Sequence, residues 1–221
     1  MISSDLDAYK TLIFDCDGVI LNSNEIKTEA FYDSVLTYGK ESAEKFKEYH
    51  ENNGGISRYR KFQYFFENIL NKPMNSNDLE RLLGVYSNLV LKKLSHCQIN
   101  PYLNELKDFT RNAKWGVVSG GDQRELRAIF SKRKISGNFE LGIFGSPETK
   151  EEIFDKMLRN KLIDFPAIFF GDSQYDFEVA ESISIDFLFI SCWTEFSNWQ
   201  DYQKIKQFDY VNNFNELIKK K

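Results

Sequence analysis

The chain has 221 residues, 42% of them hydrophobic, which is enough to bury one core with a smaller module attached. Lys and Arg total 29 against 33 Asp and Glu, and a formal net charge of −4 with scattered basic residues gives a nucleic-acid partner no electrostatic footing. No stretch approaches the roughly 18 apolar residues of a membrane span, and no basic-then-apolar leader opens the chain, so neither a membrane nor a secretory route is expected.

The first element is Thr11–Asp15, a run of buried-strand character that leads into Asp15-Cys16-Asp17-Gly18. Side chains alternate along a strand, so Asp15 and Asp17 share a side, and a turn at Gly18 lets both reach one pocket beyond its carboxyl end. Two acids held together repel unless a cation or a shared proton relieves them, and that cost points to chemistry. An isolated Asp-Gly would read only as a solvated turn.

Residues 22–94 then read as helices over Glu25–Tyr38, Ser42–Tyr49, Tyr59–Leu70 and Asn77–Leu94, each with apolar recurrence near the helical period. Breaks fall at Asn52-Asn53-Gly54-Gly55 and Asn71-Lys72-Pro73. A helical module inserted directly after the acidic strand end would sit above the pocket as a lid.

Four more apolar runs, Trp115–Ser119, Leu141–Phe144, Ala167–Gly171 and Phe187–Ser191, alternate with helical segments such as Gln123–Lys132 and Lys150–Lys161. This alternation predicts an α/β fold, a doubly wound parallel sheet built from residues 1–21 and 95–221 with the helical module 22–94 inserted. Ligands of such sheets bind at the carboxyl ends of the strands. Three further elements fall there: Ser119-Gly120-Gly121, Lys150 in Gly145-Ser-Pro-Glu-Thr-Lys150, and Gly171-Asp172-Ser173-Gln174-Tyr175-Asp176. Singly, each has a plain reading. Ser119 is a turn serine, Lys150 a surface lysine at a helix start with Lys156 as its competitor, and Asp172 and Asp176 are caps for a helix beginning near Phe177.

Together the four pieces resemble the haloacid dehalogenase superfamily in its phosphatase and phosphomutase branch, over essentially the whole chain. Phosphoryl transfer needs a nucleophile, a charge clamp and an acid for the leaving oxygen. The resemblance implies Asp15 as the nucleophile that forms an aspartyl-phosphate. It implies Asp17 as the acid and then the base, which requires a proton on Asp17 near neutral pH; repulsion from Asp15 and partial burial would raise its pKa. The implied cofactor is Mg²⁺, on Asp15, the Asp17 backbone carbonyl and Asp172, with Asp176 bound through water or behind the ligands. Ser119, the Gly120 N–H and Lys150 would hold the phosphoryl oxygens.

Asp17 argues against the dehalogenase, phosphonatase and P-type ATPase branches, which place other residues there. Gly55-Ile56-Ser57-Arg58 resembles the substrate loop of beta-phosphoglucomutases, and Arg58 would then bind an anionic substrate group. Its plain reading is a helix start with Ser57 capping and Arg58 exposed. Those mutases carry a histidine where this chain has Lys27, and an adjacent acidic pair where it has Gly171-Asp172, so hydrolysis is favoured.

The expected protein is a cytoplasmic Mg²⁺-dependent phosphatase of a small phosphate ester, such as a sugar, polyol or organic-acid phosphate. A sugar phosphomutase and a non-catalytic phosphate-ester-binding protein are the alternatives. Cys16, Cys97 and Cys192 show no C-x-x-C spacing, which fits a reducing compartment, and Cys16 reads as a core contact. His50 and His96 read as surface or structural residues, Phe62, Tyr64, Phe65 and Phe66 as packing of the helical module, and Lys219-Lys220-Lys221 as a solvated tail.

Overall fold

The computed structural model describes residues 6–218. The lysine tail lies outside the described residues. One six-stranded sheet runs through the molecule: β1 (Thr11–Phe14), β2 (Lys114–Asp122), β3 (Gly142–Ser146), β4 (Ala167–Gly171), β5 (Asp186–Ile190) and β6 (Asp209–Val211). Their spatial order is β3-β2-β1-β4-β5-β6, and every adjacent pair is parallel. The chain order reverses between β1 and its neighbour β4, and in open parallel sheets that switch point is where a ligand crevice opens.

Alternation along the strands divides the core. Ile13, Val118, Phe169 and Phe189 face a layer that includes Phe154 and Met157 of α7 (Lys150–Arg159) and Phe177 and Val179 of α8 (Gln174–Ser182). Leu12, Phe14, Val117, Phe170 and Leu188 face the opposite layer, where α5 (Leu103–Phe109), α6 (Gln123–Lys132) and the last helix (Asn215–Ile218) contribute Leu106, Ile129 and Leu217. Strands buried on both faces explain why they read as unbroken apolar runs. Of the 20 phenylalanines, Phe14 sits at the centre, stacked on Phe170 with ring centroids 4.6 Å apart and 4.5 Å from Trp115.

Between β1 and β2 the chain forms α1 (Asn24–Val35), α2 (Lys40–Asn52), α3 (Arg58–Tyr64) and α4 (Ser76–Leu94). Phe31, Phe46, Phe62, Phe65 and Tyr86 interlock among them, and Tyr64 stacks on Tyr49 at 3.6 Å. The stretch expected as one helix, Tyr59–Leu70, is α3 continuing into a π turn over Phe65–Ile69. One strand escaped expectation. β6 has three residues of which only Val211 is buried, too little apolar signal to register.

Candidate active site

β1 delivers Asp15 to the switch point, where its backbone N–H donates to the Phe170 carbonyl of β4 at 2.8 Å. β4 delivers Asp172 to the same place. Gly18 makes the turn between them possible: its φ is +76°, and a Cβ there would stand 1.9 Å from Asp172 Oδ2. Carboxylate oxygens of Asp15, Asp172 and Asp176 all lie within 4.8 Å of one another, and all three residues are buried.

Lys150, the first residue of α7, threads into this cluster with 1% of its side chain exposed. Its Nζ pairs with Asp176 Oδ1 and stands 3.0 Å from Asp15 Oδ1. Lys156 is instead an exposed partner of Glu148, so the structure separates the two lysines. Asp176 also caps α8, accepting from Ser173 Oγ at 2.7 Å and from the backbone N–H of Ser173 at 3.2 Å. The helix thus starts at Gln174 with Ser173 as its N-cap, not near Phe177 with Asp172 or Asp176 as the cap; Asp176 is the third residue of the capping box and also lies in the acidic cluster.

Three carboxylates against one ammonium leave the cluster short of positive charge. Burial pushes the Asp15 carboxyl up to about 7, with Lys150 pulling it down and Asp176 and Asp17 pushing it further up. Burial, Asp176 and Asp15 drive Asp172 well above the usual carboxylate range. Asp15 Oδ1 is buried and receives no aligned hydrogen bond among the described residues. An all-oxygen, charge-deficient, buried set of this kind fits a divalent metal ion.

Asp17 is arranged differently from expectation. Its carboxylate is not part of the cluster. It turns to Lys27 of α1, which ion-pairs with Oδ2, while Ser23 Oγ donates to Oδ1 at 2.6 Å. Burial would raise its pKa, but the Lys27 ammonium and these hydrogen bonds outweigh it, so Asp17 titrates below an ordinary carboxylate. The raised pKa expected for Asp17 is therefore not found, and the pKa of Lys27 rises in turn because Asp17 outweighs the effect of burial. Repulsion from Asp15 is real but weaker than a direct ion pair.

Ser119 is fully buried in the second half of β2, its Oγ accepting from the Gly121 N–H at 3.1 Å. Gly120 is where the inserted segment touches the sheet end: a Cβ there would stand 2.2 Å from the Gly55 carbonyl oxygen. Asn24 ties the first turn of α1 to the core, donating to Asp172 Oδ2 at 2.7 Å and to the Trp193 carbonyl at 2.8 Å. A cavity of about 170 Å³ lies between the strand ends and the insertion, lined by Asp15, Asp17, Lys27, Arg58, Lys61 and Gly120 among others.

A family model for haloacid dehalogenase-like hydrolase matches residues 12–190. The chain belongs to that family. No curated protein matches it. Among solved structures, the hydrolase resembles a predicted phosphatase from Clostridium acetobutylicum at 18% identity and a TM-score of 0.72, covering 96% of this chain and 97% of that one. It resembles a predicted phosphoglycolate phosphatase from Haemophilus somnus at 15% identity and 0.71, covering 96% and 97%. It also resembles a beta-phosphoglucomutase from Clostridium difficile at 19% identity and 0.70, covering 95% and 93%. Likeness at such identities concerns the fold alone.

Within this haloacid dehalogenase-like hydrolase, Arg58 is neither exposed nor free. Its guanidinium forks onto Glu125 of α6 at 2.5 and 2.9 Å, donates to Ser87 Oγ at 3.0 Å and lies 4.6 Å from the Tyr86 ring centroid. The surface reading is corrected: the Arg58–Phe62–Phe65 stripe puts Arg58 on the buried face of α3, where Glu125 neutralises it. Ser57 does precede α3 as its N-cap residue, but without a side-chain cap bond. His50 is buried on the cavity wall and bonds Lys61 at 2.5 Å. Lys61 and Asn24 went unnoticed in the sequence. For Lys61 the signal was present, because it lies three residues after Arg58 and four before Phe65, on that same stripe.

Proposed function

We propose that this hydrolase releases phosphate from a small phosphorylated metabolite, with Asp15 as nucleophile and residues 22–94 serving as a cap over a core of residues 1–21 and 95–221. The observation that carries the reading is Asp15 itself. It is a buried carboxylate with one oxygen lacking an aligned donor, flanked by a lysine and two further acids at the switch point of the sheet.

In this reading Asp15 attacks phosphorus, the bond to the leaving oxygen breaks, and an aspartyl-phosphate forms. Water then attacks phosphorus and the bond to Asp15 breaks, so one hard step becomes two easier ones. In this reading Lys150, Ser119 Oγ and the Gly120 N–H hold the phosphoryl oxygens, and a single donor of that kind is typically worth about 3–4 kcal/mol of barrier. The leaving oxygen takes its proton from the Asp17–Lys27 pair, which recovers one from the attacking water.

The donor set suits Mg²⁺, with Asp15 and Asp172 as ligands, the Asp17 backbone carbonyl as a third and Asp176 supporting them. When bound, the ion supplies charge to offset that of the crowded carboxylates and the phosphoryl oxygens. The cavity of about 170 Å³ lies below the roughly 300–1,000 Å³ of drug-sized sites, which supports a metabolite rather than a phosphoprotein as substrate.

The test is phosphate release from para-nitrophenyl phosphate with Mg²⁺ present. Asp15→Asn is expected to lower kcat by roughly a thousandfold or more with circular dichroism unchanged. Undiminished turnover in that variant removes Asp15 from its role.

A further inference from the structure

The cavity wall opposite the strand ends contains a buried lysine with no ion-pair partner among the described residues. Lys61, on the buried face of α3, has 1% relative exposure. No carboxylate among the described residues comes within ion-pair distance of it, whereas Lys27 and Arg58 each have one and Lys150 has two. As an ammonium, Lys61 offers three N–H donors. His50 Nδ1 is the single acceptor it meets among the described residues. That bond leaves the proton of neutral His50 on Nε2, and this donor too has no partner among the described residues.

The surroundings make the deficit costly. The Phe31 ring lies 4.4 Å from the His50 ring and 5.3 Å from Lys61 Nζ, forming an apolar floor beneath both. Burial, followed by repulsion from Lys27, lowers the Lys61 pKa to about 7, while Glu195 and Asp17 act in the opposite direction from farther away. Glu195 itself accepts from Thr28 Oγ1 at 2.7 Å and does not reach Lys61. Buried charges are ordinarily paired, and a lysine without an acidic partner on a cavity wall has its complement in whatever fills that cavity.

We infer that Lys61 and His50 form a subsite for an anionic group on the leaving portion of the substrate, a carboxylate or a second phosphate, so that preferred esters are charged at both ends. The inference rests on the phosphatase reading only in seating the phosphoryl end at Asp15. Arg58 does not serve as this subsite, because Glu125 already occupies its fork. The small cavity keeps the two anions a few bonds apart.

Binding tests the subsite separately from turnover. In an Asp15→Asn background with Mg²⁺, calorimetry compares 2-phosphoglycolate, ethylene glycol bisphosphate and the neutral-ended 2-hydroxyethyl phosphate. At least one doubly anionic ester should bind tighter than 2-hydroxyethyl phosphate by roughly tenfold to a hundredfold, the range for a hydrogen bond to a charged group. Whichever of the two binds tighter distinguishes carboxylate from phosphate. Adding Lys61→Met, or Lys61→Gln should the first not fold, should erase that preference and leave 2-hydroxyethyl phosphate binding within about threefold. Equal binding of all three esters, binding of none, or a preference that survives loss of Lys61 overturns the subsite. If the doubly anionic ester binds as expected but wild-type protein turns over none of the three, the subsite stands and the phosphatase reading falls.

Discussion

Lys27 Nζ and Asp17 Oδ2 form an ion pair whose side chains are 10% and 15% exposed, with Ser23 donating to the other carboxylate oxygen. Through this pair the first turns of α1 reach back to the residue that follows the nucleophile candidate by two positions. Helix α1 is thereby fastened to the acidic strand end.

Removing one partner of such a pair strands the other. Lys27→Met is expected to cost about 3–5 kcal/mol. For a chain of this size that lowers Tm by roughly 6–20 °C. Adding Asp17→Asn should restore part of the loss, since the stranded charge is gone. Thermal melts of the two singles and the double measure the coupling, and simple additivity would contradict the pair.

The acidic cluster predicts metal-linked stability. Mg²⁺ at about a hundred times its Kd should add roughly 2.7 kcal/mol. Differential scanning fluorimetry should register this as a rise in Tm of roughly 5–10 °C. Asp172→Asn should abolish the rise, and chelation should stop phosphate release. A melt indifferent to Mg²⁺ in the wild type would contradict the assignment of Asp15 and Asp172 as ligands.

Lys61 gives a pH signature in the protein without ligand. In the unfolded chain it titrates near 10.5 and in the fold at about 7, because burial and Lys27 disfavour its charge. Between those values the unfolded chain holds the extra proton, so stability rises with pH across the window, by at most about 1.4 kcal/mol per pH unit. Below it the buried charge weighs fully against the fold. Lys61→Met should therefore be more stable than wild type near neutrality, with the advantage shrinking as pH climbs toward 10.5. Urea melts at several pH values check this, and a constant difference would contradict it.

Much of the fold was legible because strands buried on both faces leave unbroken apolar runs, and four of them end in polar residues that the topology places side by side. The acidic pair at 15 and 17, Lys150 and the acids at 172 and 176 could be placed at one crevice from strand context alone. What could not be read was which side chains stand next to each other. Asp17 looked like a carboxyl with a raised pKa because Asp15 was its visible neighbour, whereas Lys27, which lowers it, arrives from a helix whose orientation no local pattern reveals. The exposed reading of Arg58 failed similarly: its partner Glu125 lies on α6, in another part of the chain. Lys61 was legible in principle, as a charge on an apolar stripe, and only the cavity gives that oddity a meaning.

The most direct measurement is the fate of the phosphoryl group. Wild-type protein is mixed with para-nitrophenyl phosphate and Mg²⁺, quenched in acid within a turnover, digested and mapped by tandem mass spectrometry. A phosphoryl group on Asp15, present in wild type and missing in Asp15→Asn, is the expected result. Steady phosphate release with no modified Asp15, or with the group on another residue, would contradict the account.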